Sequence, residues 1–309
     1  MAGISKQEFD GFYKKKIEPL LTEFETERVR LNKKLKPIEI ISILTLICLI
    51  VSIICTYFSE RDSIKLVAAI FFVLTAVGSA YCHFVEATFM EKLKAKVTSK
   101  VLTLFGNIYF AGQKNIITAA EIRETGLYPR FSTKFDGDIV VGVHNTCNFV
   151  ISETVLEHVE GTGKHRRTVT DFHGLIVKIQ MKKKFTGKTV IGNNISRVSN
   201  MESVVLESTQ FMKGRKIYST DQIESRYILT TSFMEKIEGL QSVYGCKELI
   251  SIAFMNGYVY LYIPTKKNFF EVPFKETLLN PNHYYNIYNE LDYILAVVEH
   301  LNLDRNLGL

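Results

Sequence analysis

The sequence predicts an α+β protein: a two-span transmembrane helical hairpin with cytoplasmic helical arms, followed by a cytoplasmic domain on a mainly antiparallel sheet. Three observations carry that expectation. Two long uncharged apolar runs stand within the first 85 of 309 residues. Apolar seams at helical spacing flank both runs. Beyond residue 106 the pattern changes to short apolar stretches separated by Gly and Asn turns. The chain is accordingly divided into an N-terminal arm (1–37), the hairpin (38–85), a second arm continuing the second span (86–106) and the domain (107–309).

The spans come first. Residues 40–58 carry no charge, and 38–58 hold 16 apolar residues of 21. Residues 66–85 hold 16 apolar of 20, with no Asp, Glu, Lys or Arg. Twenty helical residues cover about 30 Å, the thickness of a bilayer's hydrocarbon. Only seven residues separate the runs, so two buried core helices of a soluble protein are the weaker alternative. Glu39 and His83 lie at span ends, within reach of the interface, and need no proton-relay role. The hydrophilic stretch before the first run argues against a cleaved signal peptide.

Lysine and arginine set the orientation. Lys14, Lys15, Lys16, Arg28, Arg30, Lys33, Lys34 and Lys36 precede the first span, and Lys92, Lys94, Lys96 and Lys100 follow the second. The loop between them balances Arg61 and Lys65 against Glu60 and Asp62. Both termini are therefore expected in the cytoplasm and the loop outside. In the first arm Ile17, Leu21, Phe24, Arg28, Leu31 and Leu35 form a helical seam that one arginine interrupts, with a bend expected near Pro19. After the second span, Phe89, Leu93, Val97 and Val101 continue a stripe, so the two arms are expected to pack as a stalk.

In the domain, Thr118-Ala-Ala-Glu121 is a capping box opening a short helix that Gly126 closes. Residues 137–180 are strand-rich, with Gly161-Thr-Gly163 as a hairpin turn. Further strands are expected at 204–207, 216–219, 249–254, 258–263 and 269–272, with Asn256-Gly257 turning one hairpin. Helices fit 221–228, 232–243 and 282–301, the last bearing Tyr284, Tyr285, Tyr288 and Tyr293 toward the sheet.

Composition excludes several functions. Net charge is only +6, spread along the chain, unlike the basic stripe of a nucleic-acid binder, so no nucleic-acid partner is expected. Five scattered cysteines without a CxxC read as free thiols in a reducing compartment. His144 and Cys147 form one HxxC pair with no second pair at zinc spacing, so no metal or other cofactor is expected. Gly187-Lys188-Thr189 ends like a phosphate-binding loop, but Lys182 stands where its first glycine belongs. Gly163-Lys164 is followed by His165 rather than Ser or Thr, and both motifs read as hairpin turns. The remaining polar candidates are the Asp221, Glu224 and Arg226 cluster, with Ser219 or Thr220 as helix cap, and the basic run Lys182, Lys183, Lys184, which suits lipid headgroup contact.

Short islands across the chain resemble a bacterial family of membrane proteins, domain of unknown function 3137. They include Phe12-Tyr13 with Ile17-Glu18-Pro19-Leu20, Phe185-Thr-Gly187-Lys-Thr189, and Val205-Leu-Glu207 with Phe211. Tyr218-Ser219-Thr-Asp221, Glu224-Ser-Arg226-Tyr227-Ile-Leu229 and Phe233-Met234-Glu235 complete the match, with Ser225 where the family usually has Ala. The resemblance implies a bacterial cytoplasmic membrane and an envelope-associated complex, with a LemA-type membrane protein as partner; it implies no activity. The expected function is a membrane-anchored binding or scaffold module, able to form a homo-oligomer. The alternatives are an enzyme with a site near Asp221, Glu224 and Arg226, or a subunit of an oligomeric transport or channel assembly.

Overall fold

A computed structural model describes residues 4–58, 62–112, 114–181, 186–193, 195, 200–266, 269 and 272–303. They fall into two compact units, Lys6–Val97 with Glu271–His283, and Met1–Ser5, Thr98–Phe270 with Tyr284–Leu309. The protein is α+β, with long N-terminal helices and a large antiparallel sheet.

The helical unit is built on α1 (Lys6–Phe12), a π-helical segment (Tyr13–Ile17), α2 (Glu18–Phe58) and α3 (Asp62–Leu102), which reaches Val97 within this unit. The predicted irregularity near Pro19 is this π segment, where the ladder adjusts just ahead of a residue with no N–H to donate. Pro37 is absorbed inside α2. Both helices are long and apolar enough to cross a membrane, by length and composition. Their apolar side chains face outward: Ile40, Leu44, Ile47, Phe72 and Val77 are all more than half exposed. Small and hydroxylated residues line the contact between them. Thr75 Oγ1 donates to Thr45 Oγ1 at 2.8 Å. A Cβ on Gly78 would stand 2.3 Å from Ser42 Oγ, so glycine is what allows the approach there. Nearer the N-terminus, Phe24 meets Phe89 edge to face with centroids 6.0 Å apart, which joins the two predicted arms.

Residues 272–283 also belong to the helical unit. Phe274 packs on Phe89 at 5.5 Å, and the Arg28 guanidinium donates to the Phe274 carbonyl at 3.0 Å. The arginine that interrupts the predicted seam is thus buried and bonded, 7% exposed, and paired with Glu25 at 2.7 Å.

Among the described residues the second unit carries a nine-stranded sheet in the order β1-β2-β3-β4-β9-β8-β5-β7-β6, with every neighbouring pair antiparallel. The strands are β1 (Ile108–Gly112), β2 (Thr133–His144), β3 (Cys147–Glu160), β4 (Arg167–Gln180), β5 (Thr189–Gly192), β6 (Glu202–Ser203), β7 (Lys216–Ser219), β8 (Ser251–Met255) and β9 (Tyr258–Pro264). The helices are α4 (Ala119–Thr125), α5 (Thr209–Met212), α6 (Gln222–Ile228), α7 (Thr231–Tyr244) and α8 (Pro281–Leu303), the last belonging to this unit from Tyr284. Strand side chains alternate between two faces. One face carries Leu156, Phe172, Ile176, Ala253, Met255, Tyr260 and Tyr262 against Ile117, Ile122 and Phe131 around α4. On the other, Phe254 meets Phe233 of α7 at 5.7 Å, and His300 of α8 stacks on that ring at 6.4 Å.

Three local expectations change. Residues 204–207 lie outside any strand; β6 is the two residues just before them. Of 269–272, Phe269 sits in a turn and Val272 in irregular chain, while 270 and 271 lie outside the described residues. Gly187-Lys188-Thr189 is no hairpin turn. It leads from β4 into β5, which pairs with β7 and β8, so the chain crosses the sheet instead of doubling back. Gly161-Thr-Gly163 does join the β3–β4 hairpin as predicted.

Candidate functional site

The segment Ser219–Glu224 joins β7 to α6, and each polar residue takes a separate structural duty. Asp221, rather than Ser219 or Thr220, caps α6: its Oδ1 accepts from the N–H groups of Ile223 and Glu224, both at 2.9 Å. Ser219 Oγ donates to the Asp221 carbonyl at 2.7 Å and lies 2.9 Å from Thr189 Oγ1. Thr220 Oγ1 accepts from the Lys188 N–H at 2.8 Å, and the Thr220 N–H donates to the Lys188 carbonyl at 3.0 Å.

Glu224 reaches across to the same loop. Its Oε1 accepts from the Thr186 N–H at 3.1 Å and its Oε2 from the Gly187 N–H at 2.8 Å. Two successive backbone N–H groups of the phosphate-loop-like stretch therefore hold a carboxylate of the chain itself. Lys188 Nζ bonds the Glu124 carbonyl at the end of α4, and burial lowers its pKa. The structure thus brings Asp221 and Glu224 together as cap and loop clamp. Arg226 is exposed, two positions on and roughly 200° around the helix from Glu224. Lys182, Lys183 and Lys184 lie outside the described residues.

Gly187 is required by this clamp. An added Cβ would stand 2.6 Å from Glu224 Oε2 and 3.1 Å from both Asp221 Cβ and Thr220 Oγ1. Gly187→Ala is expected to detach the loop and destabilise the sheet unit by about 1–3 kcal/mol, the range for inserting a methyl into filled space. Chemical denaturation of the full chain checks this. A loss within about 0.5 kcal/mol, the scatter of neutral surface changes, would remove the clamp's role.

A second site draws on three separate segments. A cleft of about 610 Å³ is lined by Thr170–His173 of β4, by Tyr244 at the end of α7 with Gly245, Lys247 and Glu248 beyond it, and by Pro264 at the end of β9 with Thr265 and Lys266. That volume is within the range of ligand-binding pockets. Asp171 Oδ2 lies 2.8 Å from His158 Nδ1, and this bond raises the histidine's pKa. Tyr244 is buried at the back, donates to the Glu290 carbonyl at 3.4 Å, and is held well above the usual phenol range by burial. Lys247, Glu248 and Lys266 are exposed at the mouth. Nothing in the sequence marks this cleft, because its walls come from three stretches, 170–173, 244–248 and 264–266, that share no motif.

Residues 170–303 match the model of the family described as protein of unknown function (DUF3137). Those residues form a DUF3137 domain. The DUF3137 domain runs from within β4 to the last turn of α8, and so contains the Glu224 clamp and every wall of the cleft. The helices α1–α4 and strands β1–β3 precede it. Among curated proteins, none matches the chain. One solved structure, the crystal structure of the mycobacterial trehalose monomycolate transport factor A, TtfA, is similar over 66% of this chain and 95% of its own. Its sequence identity is 8% and its TM-score 0.35.

Proposed function

We propose that the chain is a membrane-anchored binding or scaffold module. In this reading α2 and α3 cross a bacterial cytoplasmic membrane at 38–58 and 66–85. Both termini and the DUF3137 domain stay in the cytoplasm, and the domain holds a membrane-protein partner of an envelope-associated complex. One observation carries it: along both helices the large apolar side chains are exposed, Ile43 at 57%, Ile54 at 53%, Phe72 at 62% and Phe84 at 69%. Apolar surface in water is unfavourable by roughly 25 cal/mol per Å², and contiguous patches of this extent belong against lipid or protein. The arms' lysines support cytoplasmic flanks. The clamp supports binding over catalysis, since Asp221 and Glu224 both accept from backbone N–H groups of their own fold.

Labelling tests the anchor. With Ser63→Cys in intact cells, a membrane-impermeant maleimide is expected to modify the new thiol from outside and to leave the part-exposed Cys246 untouched until the cells are opened. Protection at 63 together with external labelling of Cys246 would overturn the orientation. Purification in mild detergent tests the module, which requires a stoichiometric membrane-protein companion. The chain recovered alone would count against it.

A further inference from the structure

Strand β4 is interior to the sheet for only part of its length. It pairs with β3 from Arg167 to Ile179, but with β9 only from Gly174 to Gln180. At Pro264 β9 leaves, and its last backbone bond to β4 runs from the Thr265 N–H to the His173 carbonyl at 3.1 Å. Residues 167–172 therefore have β3 on one side and, among the described residues, no strand on the other.

The ladder shows which backbone groups face that open side. Glu157 gives its carbonyl to the Ser132 N–H at 2.8 Å, toward β2 and away from β4. In an antiparallel pair, directly opposed residues either bond each other or both turn away. Thr170, opposite Glu157, therefore aims its N–H and C=O outward, and so does Thr168, two residues back and opposite Val159. A bulge at Asp171, where the register shifts, closes this stretch, and bulges commonly adjoin functional sites.

Interior strands left open are normally covered, because their spare N–H and C=O groups template pairing. Here the opening lies along the cleft of Tyr244–Glu248 and Pro264–Lys266. The geometry points to this edge as the docking site for an extended peptide segment of a partner protein, added to the sheet as a strand beside Thr168–Thr170. Donors and acceptors repeating every second residue match an extended backbone and no compact ligand. Asp171 is already bonded to His158, which leaves Lys247 and Lys266 against Glu248 at the mouth. That balance favours a peptide with an acidic side chain near its end. The inference rests on the binding-module reading and deepens it by naming the class of partner.

Linear peptides of roughly ten residues, displayed on phage and selected against the full chain in lipid nanodiscs, supply the probe. One selected acidic peptide is then synthesised with a fluorophore, and its affinity measured by anisotropy. Thr170→Pro removes one outward N–H and leaves the β3 ladder intact, a change that edge strands tolerate. It is expected to weaken binding about tenfold or more, while Thr170→Val, which keeps the backbone donor, stays within about twofold. Lys266→Glu is expected to weaken the same peptide. If Thr170→Pro fails to fold by circular dichroism and gel filtration, Thr168→Pro takes its place with the same expectation. Failure to select any peptide, or equal affinity of the proline variant, would overturn the proposal. So would a dimer of the parent protein that the proline variant converts to monomer, since a second copy would then own the edge. A proline variant that loses the peptide but keeps its membrane-protein companion would overturn the edge as the partner's site and leave the module standing.

Discussion

Gly174→Ala is expected to destabilise the sheet unit by about 3 kcal/mol or more, at the upper end for a single inserted methyl. Gly174 sits where β4 acquires its second neighbour, opposite Thr154 on β3 and Pro264 on β9. A Cβ there would lie 2.0 Å from the Ile263 carbonyl oxygen, 2.9 Å from the Thr265 N and 3.0 Å from the Ile263 carbonyl carbon. All three are backbone atoms, so no rotamer change relieves the clash, and β9 must move away from β4. Moving it strains the ladder on Leu175 and Ile176, both buried, and opens the core around Tyr262. Thermal or urea unfolding of the full chain in detergent, followed by the near-ultraviolet signal of its 15 tyrosines, gives the measurement, since the chain has no tryptophan. Gly11→Ala serves as control, because nothing lies within 4 Å of a Cβ there. Equal stability of the two variants would show that β9 follows a path off Gly174 different from the one described.

The same region shows which parts of the fold can be read from a sequence. The capping box at Thr118 is present in both halves: the Glu121 N–H bonds Thr118 Oγ1 at 3.2 Å, and the Thr118 N–H bonds Glu121 Oε2 at 2.8 Å. Asn256-Gly257 turns the β8–β9 hairpin with φ of 53° and 77°, as such a pair does. These signals are local: a cap or a tight turn constrains residue types within four positions. The long helices were legible for the same reason, since an uncharged run needs no partner to be recognised. Strand β5 was not. It has four residues, and its neighbours are β7 and β8, reached only after the chain has crossed the sheet. Glu224 was singled out for its charge and place on α6, but its bonds to Thr186 and Gly187 span 38 and 37 residues and leave no periodic trace. The cleft left less still, because its walls meet only through the β4–β9 pairing and the end of α7.

Glu25→Ala is expected to loosen the helical unit by about 3–5 kcal/mol, the range for breaking one partner of a buried ion pair. Arg28 broke the apolar seam in the sequence, and Glu25 is the reason it is tolerated. The Arg28 Nη2 donates to Glu25 Oε1 at 2.7 Å and its Nε to Oε2 at 2.9 Å, a two-point contact with side chains 8% and 17% exposed. The same carboxylate accepts from the Leu278 N–H at 2.9 Å and from Thr277 Oγ1 at 3.3 Å. Tyr13 adds a bond from its hydroxyl to the Leu279 carbonyl at 2.9 Å. One carboxylate thus ties an arginine of α2 to the segment 274–279. Alanine there would leave Arg28 buried without its counter-charge and Leu278 without its acceptor. Arg28→Met, which removes the charge but keeps the bulk, should be the milder change, because Glu25 retains its Leu278 and Thr277 donors. The pH dependence follows from the same contacts. The Arg28 bonds hold the Glu25 pKa below its ordinary 4.5, aided by the Leu278 N–H and opposed by burial. A carboxyl lowered on folding stabilises fully above its unfolded value, and that contribution is lost as pH falls through the folded value. The parent protein's helical unit should therefore weaken with acid below about pH 4.5 more steeply than Glu25→Gln, which has no carboxyl at this position to titrate. Identical acid profiles for the two would mean that this ion pair does not hold residues 274–279 to the helices.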